Sequence, residues 1–199
     1  MQHLIVVLVA WMATLGASLT WGSEDIPSTG RIKVNLQSVK GYSGADRKKL
    51  ELAADLVERV LGSDEFKYAV LAHTYQGRRE FVDNNGLSNA DIYRVLMNGR
   101  EILNPYDNQT MDLHLVLYQP PFWKRWSVKG YTYEHTLNIW VNRNWFRYFH
   151  VSQVAGNMMH EWCHKLGFGH DFKATARRPF SVPYAVGEIL VAEGRKIFQ

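Results

Sequence analysis

HEWCHKLGFGHD, His160 to Asp171, sets three histidines, one glutamate and one glycine at fixed offsets: His160, Glu161, His164, Gly167 and His170. Around it Val151, Val154, Ala155, Met158, Met159, Trp162 and Leu166 recur at helical spacing, which predicts one amphipathic helix over about 151–166. On a wheel of about 100° per residue, His164 falls about 40° from His160 and one turn further along, while the apolar residues gather on the far side. The helix therefore has one face for a core and, opposite it, two imidazoles over open space.

Two histidines at i and i+4 can share one metal ion, and zinc takes imidazole nitrogens at about 2.0 to 2.1 Å. Glu161 projects roughly 60° from His164 and 80° from the midline of that pair, beside the ion and not on it, which suits a general base acting on water. Gly167 stands where the helix must stop, because a left-handed residue there is least costly as glycine. Phe168-Gly169 then carries the chain back to His170, the third candidate ligand. A histidine pair alone is common on surface helices; the added glutamate, glycine and third histidine make coincidence a poor explanation.

His160, Glu161, His164, Gly167 and His170 together resemble the HExxHxxGxxH motif of the metzincin zinc metallopeptidases, and Asp171 after the third histidine is closest to the reprolysin (adamalysin) form. The resemblance rests on about 12 residues. It implies Zn²⁺, a five-stranded twisted sheet, and a cleft where an extended protein or peptide substrate pairs with an edge strand, here assigned to Val128 to Tyr133. The family also carries a methionine turn beneath the metal, yet no methionine follows Met159. Ser181-Val182-Pro183-Tyr184 takes that place, with Val182 or Pro183 as an apolar floor. By the same resemblance Tyr184 is either an extra ligand or oxyanion stabiliser, or an ordinary packed tyrosine.

Working outward, Ile32, Val34 and Leu36 alternate with polar residues and predict a strand. Ser43 with Asp46 reads as a capping box for a helix from Ala45 to Leu61, stopped by Gly62. A short helix over Phe66 to Ala72 and one capped by Ser88 and Asp91, running up to Gly99, come next. Met111, Leu113, Leu115 and Leu117 alternate as a strand that Pro120-Pro121 ends. Tyr131 to Tyr133 and Leu137, Ile139 and Val141 predict an antiparallel pair turning near Glu134-His135. The expected class is α+β: one domain over residues 31–199, with helices packed on a mostly extended sheet.

The 199 residues are 46% hydrophobic, enough for a sizeable core. Leu4 to Leu19 is uncharged and shorter than the roughly 20 residues of a spanning helix, which reads as a signal peptide over residues 1–22 with a polar linker over 23–30. The expected location is secreted or periplasmic, or membrane-anchored if that segment is not cleaved. One cysteine, Cys163, permits no intramolecular disulfide and is expected as a small buried residue on the helix flank. Net charge is +4 and the cations are dispersed apart from Arg47-Lys48-Lys49, Arg78-Arg79 and Arg177-Arg178, which read as solvated surface charge and not as a nucleic-acid face. A monomer with no membrane span after cleavage is expected.

The function this predicts is a secreted zinc endopeptidase, with His160, His164 and His170 as ligands and Glu161 as base. Two alternatives are a thermolysin-like hydrolase with Glu188 as third ligand, and a zinc-bearing binding module that does not cleave. The aromatic stretch Phe122-Trp123-Lys124-Arg125-Trp126 either lines a specificity pocket or packs.

Overall fold

The computed structural model describes residues 30–197. The expected signal peptide, and the linker up to residue 29, lie outside them. The chain enters through β1 (Lys33–Lys40) and crosses through α1 (Ala45–Leu61), α2 (Asp64–Ala72) and α3 (Asn89–Asn98) to β2 (Thr110–Tyr118). It then forms β3 (Gly130–Thr132) and β4 (Asn138–Asn142), and ends in α4 (Arg143–Tyr148), α5 (Val151–Lys165) and α6 (Val182–Ile197).

The described strands form one open sheet in the order β1-β2-β4-β3. β1 and β4 both run parallel to the central β2, and β3 is antiparallel to β4. The class is thus mixed α and β with helices packed on a sheet, as expected for α+β. The resemblance implied five strands; the described residues contain four. β3, inside the stretch assigned as the substrate edge, is an edge of the sheet.

Alternation along β2 buries Met111, Leu113, Leu115 and Leu117 in a core shared with Leu50, Ala53 and Val57 of α1 and Val154, Met158 and Trp162 of α5. β1 extends past the predicted Leu36 because its register slips between Asn35 and Ser38, which breaks the alternation that marks a strand in sequence. The capping box expected at Ser43 does not form. Gly44 occupies the N-cap of α1 without a side-chain bond, and the Asp46 carboxylate pairs with Arg147 of α4 at 3.0 Å instead. Ser88 and Asp91 do form their reciprocal box at α3, and Gly99 closes that helix at φ 70°.

α6 goes beyond the sequence reading. It packs along α5, and the two helices approach closest at Gly156 and Gly187, where a Cβ on Gly187 would stand 3.0 Å from the Gly156 carbonyl oxygen. α5 is thereby held from several sides, by α1, α6 and β3.

Candidate metal centre

α5 carries His160 and His164 on one face, and its last turn closes as the sequence requires. Gly167 adopts φ 94°, the Gly167 amide bonds the His164 carbonyl at 3.2 Å, and the Phe168 amide bonds the Cys163 carbonyl at 3.0 Å. Phe168 is buried and anchors the bend, and His170 comes back over the helix. His160, His164 and His170 each offer a ligand atom, all within 4.8 Å of one another. Among the described residues this is the one group of His, Cys, Asp or Glu placed to hold a metal ion.

The rings are oriented by backbone oxygens. His164 Nδ1 bonds the Phe168 carbonyl at 2.7 Å and His170 Nδ1 the Asp171 carbonyl at 3.0 Å, while the Pro183 carbonyl accepts from the His160 ring. A carbonyl only accepts, so Nδ1 of His164 and of His170 carries the proton and leaves Nε2 as a free donor pair for a cation. His160 Nε2 and His170 Nε2 then face each other at 3.3 Å. Two nitrogens each about 2.05 Å from one tetrahedral ion stand about 3.3 to 3.4 Å apart, so this pair fits zinc geometry. Burial holds all three imidazoles neutral: His160 well below its usual pKa, His164 down to about 4, and His170 lowered too.

Glu161 is 3% exposed, and its carboxyl is raised by burial to about 8, with Lys165 pulling the other way. It faces the first residue of β3: a Cβ on Gly130 would come within 2.9 Å of Glu161 Oε1 and 3.0 Å of Asn157 Nδ2. A side chain there would press on the carboxyl beside the edge strand. Burial raises the pKa of both Tyr118 and Tyr184, and the Glu161 carboxyl adds to it at both, so it sits between the sheet and the tyrosine flank.

Tyr184 is half-buried at the start of α6, with its ring 4.5 Å from that of His160 and 4.8 Å from that of His170. Arg178 lies over this ring at 4.7 Å and hydrogen-bonds the phenol. Arg178 is therefore a wall of the site and not the solvated surface charge the sequence suggests. Ser181, Val182 and Pro183 are buried beneath, where the resemblance places a methionine. Compared with known proteins, the chain matches no family model, no curated protein and no solved structure. The site is therefore argued from its own atoms.

Glu188, the other candidate ligand, is exposed on α6 and stands outside the histidine cluster. The α6 residue that faces His160 is Gly187, whose Cβ position lies 3.4 Å from His160 Cβ; Glu188 is turned about 100° further round the helix. Cys163 is fully buried, with its thiol pushed far up by burial.

Two buried charged residues that the sequence reading passed over tie α5 to the sheet and its turn. Glu101 Oε1 accepts from Trp162 Nε1 at 2.7 Å and from the Asp112 amide at 3.1 Å, joining α5 to β2. Lys165, 4% exposed, donates Nζ to the Tyr133 carbonyl at 3.2 Å and to the Thr136 carbonyl, joining the end of α5 to the β3–β4 turn. Lys165→Met keeps the stem and removes the donor, leaving two turn carbonyls without it. A loss of about 1 to 3 kcal/mol is expected from urea unfolding, with faster amide exchange confined to residues 130–138. Unchanged exchange there refutes the tether.

Proposed function

We propose that the protein is a secreted, metzincin-like zinc endopeptidase. The observation that carries this reading is the 3.3 Å approach of two imidazole Nε2 atoms beside a third histidine, with hydrogen-bonded backbone carbonyls orienting the rings. Three neutral nitrogen donors suit zinc better than the hard, oxygen-preferring cations. When bound, zinc supplies Lewis acidity that polarises a carbonyl and makes water acidic enough to attack near neutral pH.

The chain's own residues do the rest. His160, His164 and His170 hold the ion. Glu161, on the same helix and beside the edge strand, takes the proton of the attacking water and passes it to the leaving amine. A divalent cation nearby favours the ionised carboxylate, offsetting the burial that raises its pKa in the metal-free protein. On the opposite flank the Tyr184 hydroxyl and the Arg178 guanidinium place a donor and a positive charge where negative charge grows on the carbonyl oxygen. An extended peptide laid along β3 brings its backbone past Gly130 and so past Glu161.

Metal analysis together with a mixed peptide library tests this. The expected result is about one zinc per chain, and endoproteolytic cleavage that a chelator abolishes and added zinc restores. His170→Ala loses the metal while Glu188→Ala keeps it. Zinc at full occupancy without cleavage of any peptide makes the protein a binding module and ends the enzymatic reading.

A further inference from the structure

The stretch from Gln119 to Tyr133 holds Lys124, Arg125 and Lys129 and no acidic residue, and it reaches water in an unusual way. Every residue from 121 to 129 is exposed, with Phe122 at 76%, Trp123 at 81% and Trp126 at 48%. Of the two roles its sequence suggests, packing is met by Trp126 against α4, while Phe122 and Trp123 stay open to water. Large apolar side chains left this open in one place mark an interaction surface.

The loop is also built to hold its shape. Asn142, fully buried at the end of β4, donates its side-chain amide to the carbonyls of Arg125 at 3.0 Å and Val128 at 2.9 Å. Ser127 closes a turn on the Lys124 carbonyl through both its amide and its hydroxyl. Trp126 packs edge-on against Trp145 and Tyr148 of α4, at 5.0 and 6.0 Å, and the Arg125 guanidinium lies 4.8 Å from the Phe122 ring. Phe122 and Trp123, the most exposed rings of this anchored turn, form its crest, with Lys124, Arg125 and Lys129 in the same stretch.

We infer that this turn docks the protein on the surface of an anionic phospholipid bilayer, Phe122 and Trp123 entering the headgroup layer while Lys124, Arg125 and Lys129 meet lipid phosphates. Aromatic rings with Lys and Arg beside them partition to that depth, where ring faces find apolar contact and charges stay hydrated. A polyanion such as single-stranded nucleic acid is bound along a groove that encloses its bases, whereas Phe122 and Trp123, 76% and 81% exposed, are enclosed by nothing in this chain. Docking here is peripheral: no helix among the described residues is long and apolar enough to cross a membrane. The crest leads directly into β3, so a docked molecule holds its proposed substrate edge close to the bilayer. The inference is independent of hydrolysis.

The test is flotation of the full chain with phosphatidylglycerol-containing vesicles and with pure phosphatidylcholine vesicles, combined with quenching by brominated lipid. Quenching of Trp123 is taken as the difference between wild type and Trp123→Phe. The expected results are preference for the anionic vesicles, quenching of Trp123, and affinity about a hundredfold weaker in Phe122→Ala/Trp123→Ala. Lys124→Ala/Arg125→Ala weakens binding and flattens its salt dependence. Circular dichroism confirms that these exposed substitutions leave the fold intact. Trp123 unquenched on bound vesicles overturns the proposal, whatever residues 1–29 do at the bilayer. So does a dimer that Phe122→Ala/Trp123→Ala splits without any vesicle binding, or capture of an oligonucleotide in place of lipid.

Discussion

Replacing Glu161 by glutamine is expected to leave zinc bound at wild-type stoichiometry while slowing peptide hydrolysis by roughly 10²- to 10⁴-fold, the range general-base catalysis supplies. Glutamine has the same shape, so the close fit against Gly130 survives and only the proton acceptor is lost. The same substitution has an opposite effect on stability. In the metal-free protein burial lifts the carboxyl from 4.5 to about 8, so the folded form binds a proton that the unfolded chain releases. Wild type therefore holds this contribution below about pH 4.5 and loses it as the pH rises through 8, whereas the glutamine variant has nothing to lose. Metal-free Glu161→Gln should accordingly gain on wild type in melting temperature as the pH rises from about 4.5 to 8, and the difference should level off above 8. Full hydrolytic activity in the variant removes Glu161 from the chemistry; an unchanged melting difference across pH 5 to 9 removes the buried carboxyl from the stability argument.

How much of this was readable before the fold follows from the range of the interactions. Helix α5 and the bend at Gly167 are local: a 3.6-residue apolar period, then a glycine at the one position where φ turns positive. α1 runs over the same residues, Ala45 to Leu61, that periodicity and Gly62 assign. α6 hides because Gly187 and Gly194 lower its helix propensity, and Gly187 is there for close approach to α5. Lys165 looks like any basic residue at a helix end until Tyr133, 32 residues earlier, is found to receive its ammonium. Arg178 and Gly130 are equally silent in sequence, since a ring face and a carboxyl brought in by distant segments define what they do. The histidine cluster was legible because its spacing is set within one helix and one turn; the walls of the site were not, because tertiary packing supplies them.

That packing has its own sharp test at Gly156. By helix propensity alone, Gly156→Ala in the middle of α5 should stabilise the protein by about 1 kcal/mol. The crossing with α6 predicts the opposite sign. A Cβ at Gly156 would stand 2.8 Å from the Gly187 carbonyl oxygen and also collide with Val191, and a backbone oxygen in a packed helix cannot swing aside as a flexible side-chain end can. The helices must separate, at an expected cost of about 2 to 3 kcal/mol in urea unfolding of the metal-free protein. Zinc binding should weaken at least tenfold as well, because His160 lies one turn along from Gly156, its Cβ against Gly187, and its ring is oriented by the Pro183 carbonyl at the start of α6. A variant more stable than wild type would mean that the two helices yield freely and that α6 is not what sets the histidines.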